Sequence, residues 1–190
     1  MRTFVLSVAI SLALASMLAA DTCRETIRDA SGRVVQTVER RKDTGGTVQA
    51  TTRDASGRVI GTAVTRPNSG GSARTEYRDA SGRLTGTAQM QAPGGGSSRA
   101  ASSTNTTYRD ASGRLTATAV TRISGGTGAS AQTQYRDASG RLAGTASANI
   151  SPSGTFTATD RDASGRVTGS STGSGKCQGT AVVRPPGGKR

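Results

Sequence analysis

Two patterns of hydrophobic and polar positions divide the chain. Phe4 to Ala15 form an apolar stretch interrupted only by Ser7 and Ser11, preceded by Arg2 and followed by small residues that end at Ala19 and Ala20. A positive start, a short apolar run and a small-residue exit describe a secretory leader, so residues 1–20 read as a signal peptide. Beyond it the period changes to two. Around six points the chain repeats one scheme: Val34, Val59, Leu84, Leu115, Leu142 and Val167 come first. Gln36, Gly61, Gly86, Ala117, Gly144 and Gly169 follow two positions on, and Val38, Ala63, Ala88, Ala119, Ala146 and Ser171 two further. Thr37, Thr62, Thr87, Thr118, Thr145 and Ser170 fall on the opposite parity. Such alternation predicts β-strands with one apolar, mostly small face, and no helical period competes with it.

The hexapeptide Arg-Asp-Ala-Ser-Gly-Arg sets the phase. It begins at Arg28, Arg53, Arg78, Arg109, Arg136 and Arg161 without a change, at intervals of 25, 25, 31, 27 and 25 residues. Asp in the first turn position can accept backbone N–H groups two residues on, Ala and Ser suit the central right-handed pair, and Gly supplies the positive φ of a G1 bulge. Each copy therefore predicts a hairpin tip, with strands leaving on both sides. Thr44–Thr47, Pro67–Ser72, Pro93–Ser98, Ser124–Ser130 and Ser151–Gly154 read as loops between hairpins. One hairpin buries only one or two large side chains, worth about 1.5–3 kcal/mol each, against about 1–2 kcal/mol per residue of backbone ordering. The hairpins must support one another as a repeat array. The expected fold is all-β: six stacked antiparallel β-hairpin repeats, curved or closed into a barrel-like array.

The residues Tyr77-Arg78-Asp79-Ala80-Ser81-Gly82-Arg83-Leu84, Tyr108 to Leu115 and Tyr135 to Leu142 resemble the tyrosine-aspartate (YD, or RHS) repeats of bacterial surface and toxin-delivery proteins. That resemblance implies β-hairpin architecture over roughly residues 24–172. It departs from the family in the Arg between Tyr and Asp and in the three copies that lack the Tyr.

Composition narrows the function. Gly, Ser and Thr make up about two-fifths of the 190 residues, and His and Trp are absent. Without His there is no imidazole base, no His-dependent nucleophile and no His-ligated metal. Identical Asp residues at six turns are turn formers with depressed pKa values rather than catalytic carboxylates, which would need different roles at different positions. The expectation is a non-enzymatic chain with no cofactor and no metal. Cys23 and Cys177 bracket the array, and in an exported chain an even pair reads as a disulfide. An intramolecular bond would bring the ends of the array within about 7 Å and bend it back on itself. The predicted domains are the leader, a repeat domain over 21–177 and a flexible basic tail over 178–190, with no transmembrane segment in the mature chain.

With 25 Lys and Arg against 12 Asp and Glu the chain carries a formal charge of +13. Stacked hairpins would line up Arg28, Arg53, Arg78, Arg109, Arg136 and Arg161 in one row. Arg33, Arg58, Arg83, Arg114, Arg141 and Arg166 would form another. Rows of guanidinium groups suit an anionic polymer. In the periplasm or at the cell surface that polymer would be lipopolysaccharide, anionic polysaccharide or extracellular DNA rather than intracellular nucleic acid. A protein partner at the envelope is the other binding expectation. The alternative function is a self-assembling secreted fibre or matrix subunit, because Gly/Ser/Thr-rich hairpins can polymerise by cross-β stacking.

Overall fold

The computed structural model describes residues 22–91, 102–124 and 129–174. Twelve strands follow one another as a meander. They are β1 (Thr22–Asp29), β2 (Val34–Lys42), β3 (Val48–Asp54), β4 (Val59–Pro67), β5 (Ala73–Asp79) and β6 (Leu84–Gln91). The second half comprises β7 (Ser102–Asp110), β8 (Leu115–Ser124), β9 (Ala129–Asp137), β10 (Leu142–Ile150), β11 (Phe156–Asp162) and β12 (Val167–Ser174). Every neighbour pair is antiparallel, and β1 pairs with β12 from Arg24↔Ser174 to Asp29↔Gly169, so the sheet closes into a barrel. The hairpins lie edge to edge in one sheet rather than stacked face upon face. Closure comes from ordinary ladder pairing of the first and last strands.

Each hexapeptide makes the turn its residues favour. In the first, Gly32 N–H donates to Asp29 O at 3.0 Å and Asp29 N–H to Arg33 O at 2.9 Å, with Gly32 at φ 81°. Asp29 Oδ1 accepts from the N–H groups of Ser31 and Arg33 and from the Ser31 hydroxyl. The other five turns repeat this pattern. All six connect an odd strand to the next even strand and therefore share one end of the barrel. At the other end, Asp43–Thr47 and Ser151–Thr155 form hairpin turns with the same backbone bonds, and a single 3-10 turn, Ser69–Gly71, sits between β4 and β5. The predicted loops Pro93–Ser98 and most of Ser124–Ser130 lie outside the described residues.

The register corrects one expectation about the apolar face. Leu84 pairs with Arg78, but Gly86 pairs with Tyr77, which leaves Thr85 as a bulge; all six hairpins shift at the equivalent step. The bulge turns the residue just after the hexapeptide away from the interior. Leu84, Leu142 and Val167 are accordingly 37%, 41% and 43% exposed. The inner face begins two residues later.

From there the small residues have a clear use. Tyr77 lies opposite Gly86, Tyr108 opposite Ala117 and Tyr135 opposite Gly144, so each ring projects over a position with little or no side chain. On the other side these strands come close to the next hairpin. A Cβ on Gly86 would stand 2.6 Å from Arg109 O, and one on Gly144 2.5 Å from Arg161 O. Across each hairpin the register advances by two residues, as in Tyr77↔Gly86 followed by Gly86↔Asp110. The same step recurs all the way round to Gly169↔Asp29. A constant stagger is what tilts strands and lets a sheet close. The core within is one cluster of Ala, Val, Ile and Tyr, continued by buried Thr65, Thr75, Thr106, Thr121 and Thr133. Outside, the strands present mostly Thr, Gln, Ser, Glu and Arg, with Val64 and Val120 half-buried among them. That is the reverse of a lipid-facing barrel, which turns an apolar band outward.

Candidate polyanion-binding rim

The six turns gather the two sets of repeat arginines around a single mouth of the barrel. Because the sheet closes, the two expected rows run around that mouth as two rings. Adjacent hairpins are two strand spacings apart and staggered by two residues, so equivalent arginines recur about every 12 Å around the rim.

The two rings differ in how their side chains are held. In the first, Arg28, Arg53, Arg78, Arg109, Arg136 and Arg161 each donate from Nη1 to the carbonyl of the Gly in their own turn, at 2.8–3.0 Å. One edge of each guanidinium is thus tied to its turn while the residue stays largely outward. In the second ring, the backbone N–H groups of Arg33, Arg58, Arg83, Arg114, Arg141 and Arg166 donate to the turn Asp. Their side chains are exposed and make no hydrogen bond or ion pair among the described residues.

The six Asp carboxylates do not cancel this charge by pairing with arginine side chains. Each turns its Oδ1 into its own turn. Hydrogen bonds from the turn Ser hydroxyl and from backbone N–H groups hold Asp29, Asp54, Asp79, Asp110, Asp137 and Asp162 below the ordinary value of 3.8. The rim therefore carries two arginines for every aspartate, with the second ring's side chains exposed to solvent.

A second polar constellation lies inside the barrel. Arg40 Nη2 donates to Glu25 Oε2 at 2.6 Å, with the two side chains 4% and 1% exposed. Asp160 is also buried and stands where three other repeats have Tyr. Burial raises the Tyr77 hydroxyl pKa, which nearby Arg40 partly counters; Tyr108 and Tyr135 are raised by burial too, and the Asp160 charge adds to the effect at Tyr135. Thr106 and Thr133 lie beside the last two hydroxyls, but neither Tyr108 nor Tyr135 makes a hydrogen bond of good geometry. Sequence reasoning missed Glu25, Arg40 and Asp160 as interior residues. Parity could have found them, since Glu25 is two residues from Ile27 and Arg40 two from Val38.

Cys23 is buried at the start of β1. Its expected partner Cys177 lies outside the described residues, as do the expected leader and tail. Arg24 pairs with Ser174, so the β1–β12 ladder brings the end of β12 beside the start of β1.

No protein-family model matches the chain, and no curated protein matches it in sequence. Two solved structures are similar in backbone. One is a presumed exported protein with a YmcC-like fold from Bacteroides fragilis NCTC 9343, at 7% identity and TM-score 0.48, covering 88% of this chain and 98% of that one. The other is a presumed lipoprotein from Parabacteroides distasonis ATCC 8503, at 9% identity and TM-score 0.38, covering 84% of this chain and 94% of that one.

Proposed function

We propose that this chain is an exported, non-enzymatic binding module of the bacterial envelope, whose double ring of arginines engages an anionic polymer. The observation that supports this is the segregation of twelve repeat arginines to one rim, six of them with side chains uncommitted to the protein. A convergent field of this kind attracts polyanions and concentrates them at the mouth. Lipopolysaccharide, anionic polysaccharide and extracellular DNA are the polymers that an exported chain would meet. The leader at residues 1–20 and a Cys23–Cys177 bond, which would fasten the ends of the closed sheet, belong to the same reading.

Closure also weighs against the fibre subunit. Each of the twelve strands already has two ladder neighbours, so no edge is offered for cross-β growth.

The test is binding of the mature chain to those polymers, titrated from about 50 to 200 mM salt. The parent should bind with a steep negative log-log slope. Replacing the second ring with Gln should flatten that slope while leaving the melting temperature nearly unchanged, because those side chains make no hydrogen bond or ion pair among the described residues and add only a minor charge attraction to the turn Asp. Replacing the first ring should weaken binding and also lower the melting temperature, since each Nη1 braces a turn. Absence of binding to every polymer, or a slope indifferent to the second ring, would overturn the proposal.

A further inference from the structure

We propose that a groove on the outer face of β6 seats an acidic saccharide, which makes an anionic glycan the polymer of the rim; this rests on the polyanion reading and sharpens it. The groove encloses about 490 Å³, within the usual range of small-molecule sites. The register explains its lining. On the outward face Arg74 lies opposite Gln89 and Gln89 opposite Thr107, while Thr87 lies opposite Arg109. Two cations thus flank a floor of hydroxyl and amide groups. The turn after β7, with Asp110, Ala111 and Gly113, closes one end, and Leu84 forms an apolar margin.

The charges are arranged for an anion. Glu76, on the same face of β5, is occupied by Arg66 at 3.9 Å and Arg78 at 3.4 Å. Arg74 has no ion-pair or hydrogen-bond partner among the described residues. Arg109 gives one Nη1 donor to Gly113 O and retains the rest of its fork. Asp110 directs its Oδ1 to Ser112 and to the Arg114 N–H. Two guanidinium groups can therefore meet a carboxylate or phosphate, which they bind by charge-assisted hydrogen bonds. Thr87, Thr107 and Gln89 each offer both donor and acceptor capacity, which matches sugar hydroxyls, and the exposed Leu84 side chain can cover a C–H face of the ring.

A nucleic acid strand is a poorer fit. Among the described residues no aromatic side chain lines the groove, and sequence-tolerant binding of single strands depends on stacking bases against such rings.

The experiment is calorimetric binding of three short probes to the full mature chain: an oligogalacturonide, its methyl ester and an oligothymidylate, with a phosphorylated oligosaccharide as a further arm. The acid should bind, and its uncharged ester should be at least about tenfold weaker, a difference near 1.4 kcal/mol. Arg74→Gln should weaken the acid about tenfold and Gln89→Ala several-fold, whereas Arg41→Gln, an equal charge loss on distant β2, should stay within about twofold. Preferential binding of the phosphorylated sugar would assign the anion as phosphate and keep the saccharide site. Equal losses for Arg74→Gln and Arg41→Gln, equal binding of ester and acid, or tighter binding of the oligothymidylate would overturn the groove. If long polymers bind and the short acid does not, the groove falls and the rim stands; if no polyanion binds, both fall.

Discussion

At the scale of single residues, the turn aspartates do the most with the least. Each is only half-buried at the surface, yet one carboxylate oxygen organises a turn by accepting a hydroxyl and two backbone N–H groups, as Asp79 does from Ser81 and Arg83. The pKa of each is lowered in the folded chain relative to 3.8. A carboxyl with a depressed folded pKa contributes stability that is fully present above its unfolded value and disappears as pH falls through its folded one. The melting temperature should thus hold down to about pH 4 and then fall below it, six equivalent groups titrating together. Replacing all six Asp by Asn keeps an acceptor oxygen at each turn but removes the charge that titrates. Melting curves between about pH 2 and 6 should show a shallower acid decline in that variant than in the parent. The remaining carboxylates are common to both chains, so an unchanged slope would mean that the turns do not link folding to pH. This was the part of the molecule most legible in the sequence, because the turn is local and its chemistry is contained in six consecutive residues.

At the scale of strands, legibility ends where two local rules collide. Alternation placed Val38 and Ala63 on one face correctly, yet it also put Leu84 there, and the bulge beside each turn sends that residue outward. A bulge is not encoded by parity; it arises where the Gly-containing turn must join a ladder whose register is set by Tyr77 facing Gly86. The opposite collision hid Arg40, whose parity is inward but whose charge suggests the surface. Its burial is sustained by Glu25, one strand away. Burying two ions is expensive, and removing one partner leaves the other uncompensated, typically at a loss of 3–5 kcal/mol (about that for a pair this enclosed). Glu25→Leu and Arg40→Met should each lower stability in urea by about that amount. The double variant should recover most of the loss, because a matched apolar pair needs no compensation. A double variant as unstable as the sum of the singles would show that the two side chains act separately. The same inward parity of charged residues explains why the rim arginines were found from sequence while the interior cluster was not.

For the whole molecule, the decisive property is that the meander closes without a seam. Two cysteines suggested from the sequence that the array bends back, but the described ladder gives a stronger reason: each hairpin advances the register by two residues, and the same step joins β11 and β12 to β1. The variable intervals between hexapeptides do not disturb it, because the extra residues lengthen strands, as in β8 and β9, or fall in connections, in both cases at the end away from the rim. If closure is a ladder like any other, the chain should tolerate having its ends moved. Joining Ser174 to Thr22 through a short Gly-rich turn converts β12–β1 into one more hairpin at the loop end, where the start of β1 and the end of β12 lie. New termini between Gly45 and Gly46 would open the β2–β3 turn, whose tip is exposed and carries no core residue. Such sites are where permutation succeeds. The permuted barrel should keep the far-ultraviolet circular dichroism of the parent and unfold in one cooperative step, with a melting temperature lower by only a few degrees (about 1 kcal/mol for one opened turn). It should also bind polyanions with an unchanged salt slope, since all six rim turns are retained. Loss of cooperative unfolding would mean that ladder pairing alone, here between β2 and β3, does not hold two free ends together and that closure of the sheet needs a covalent connection at the seam.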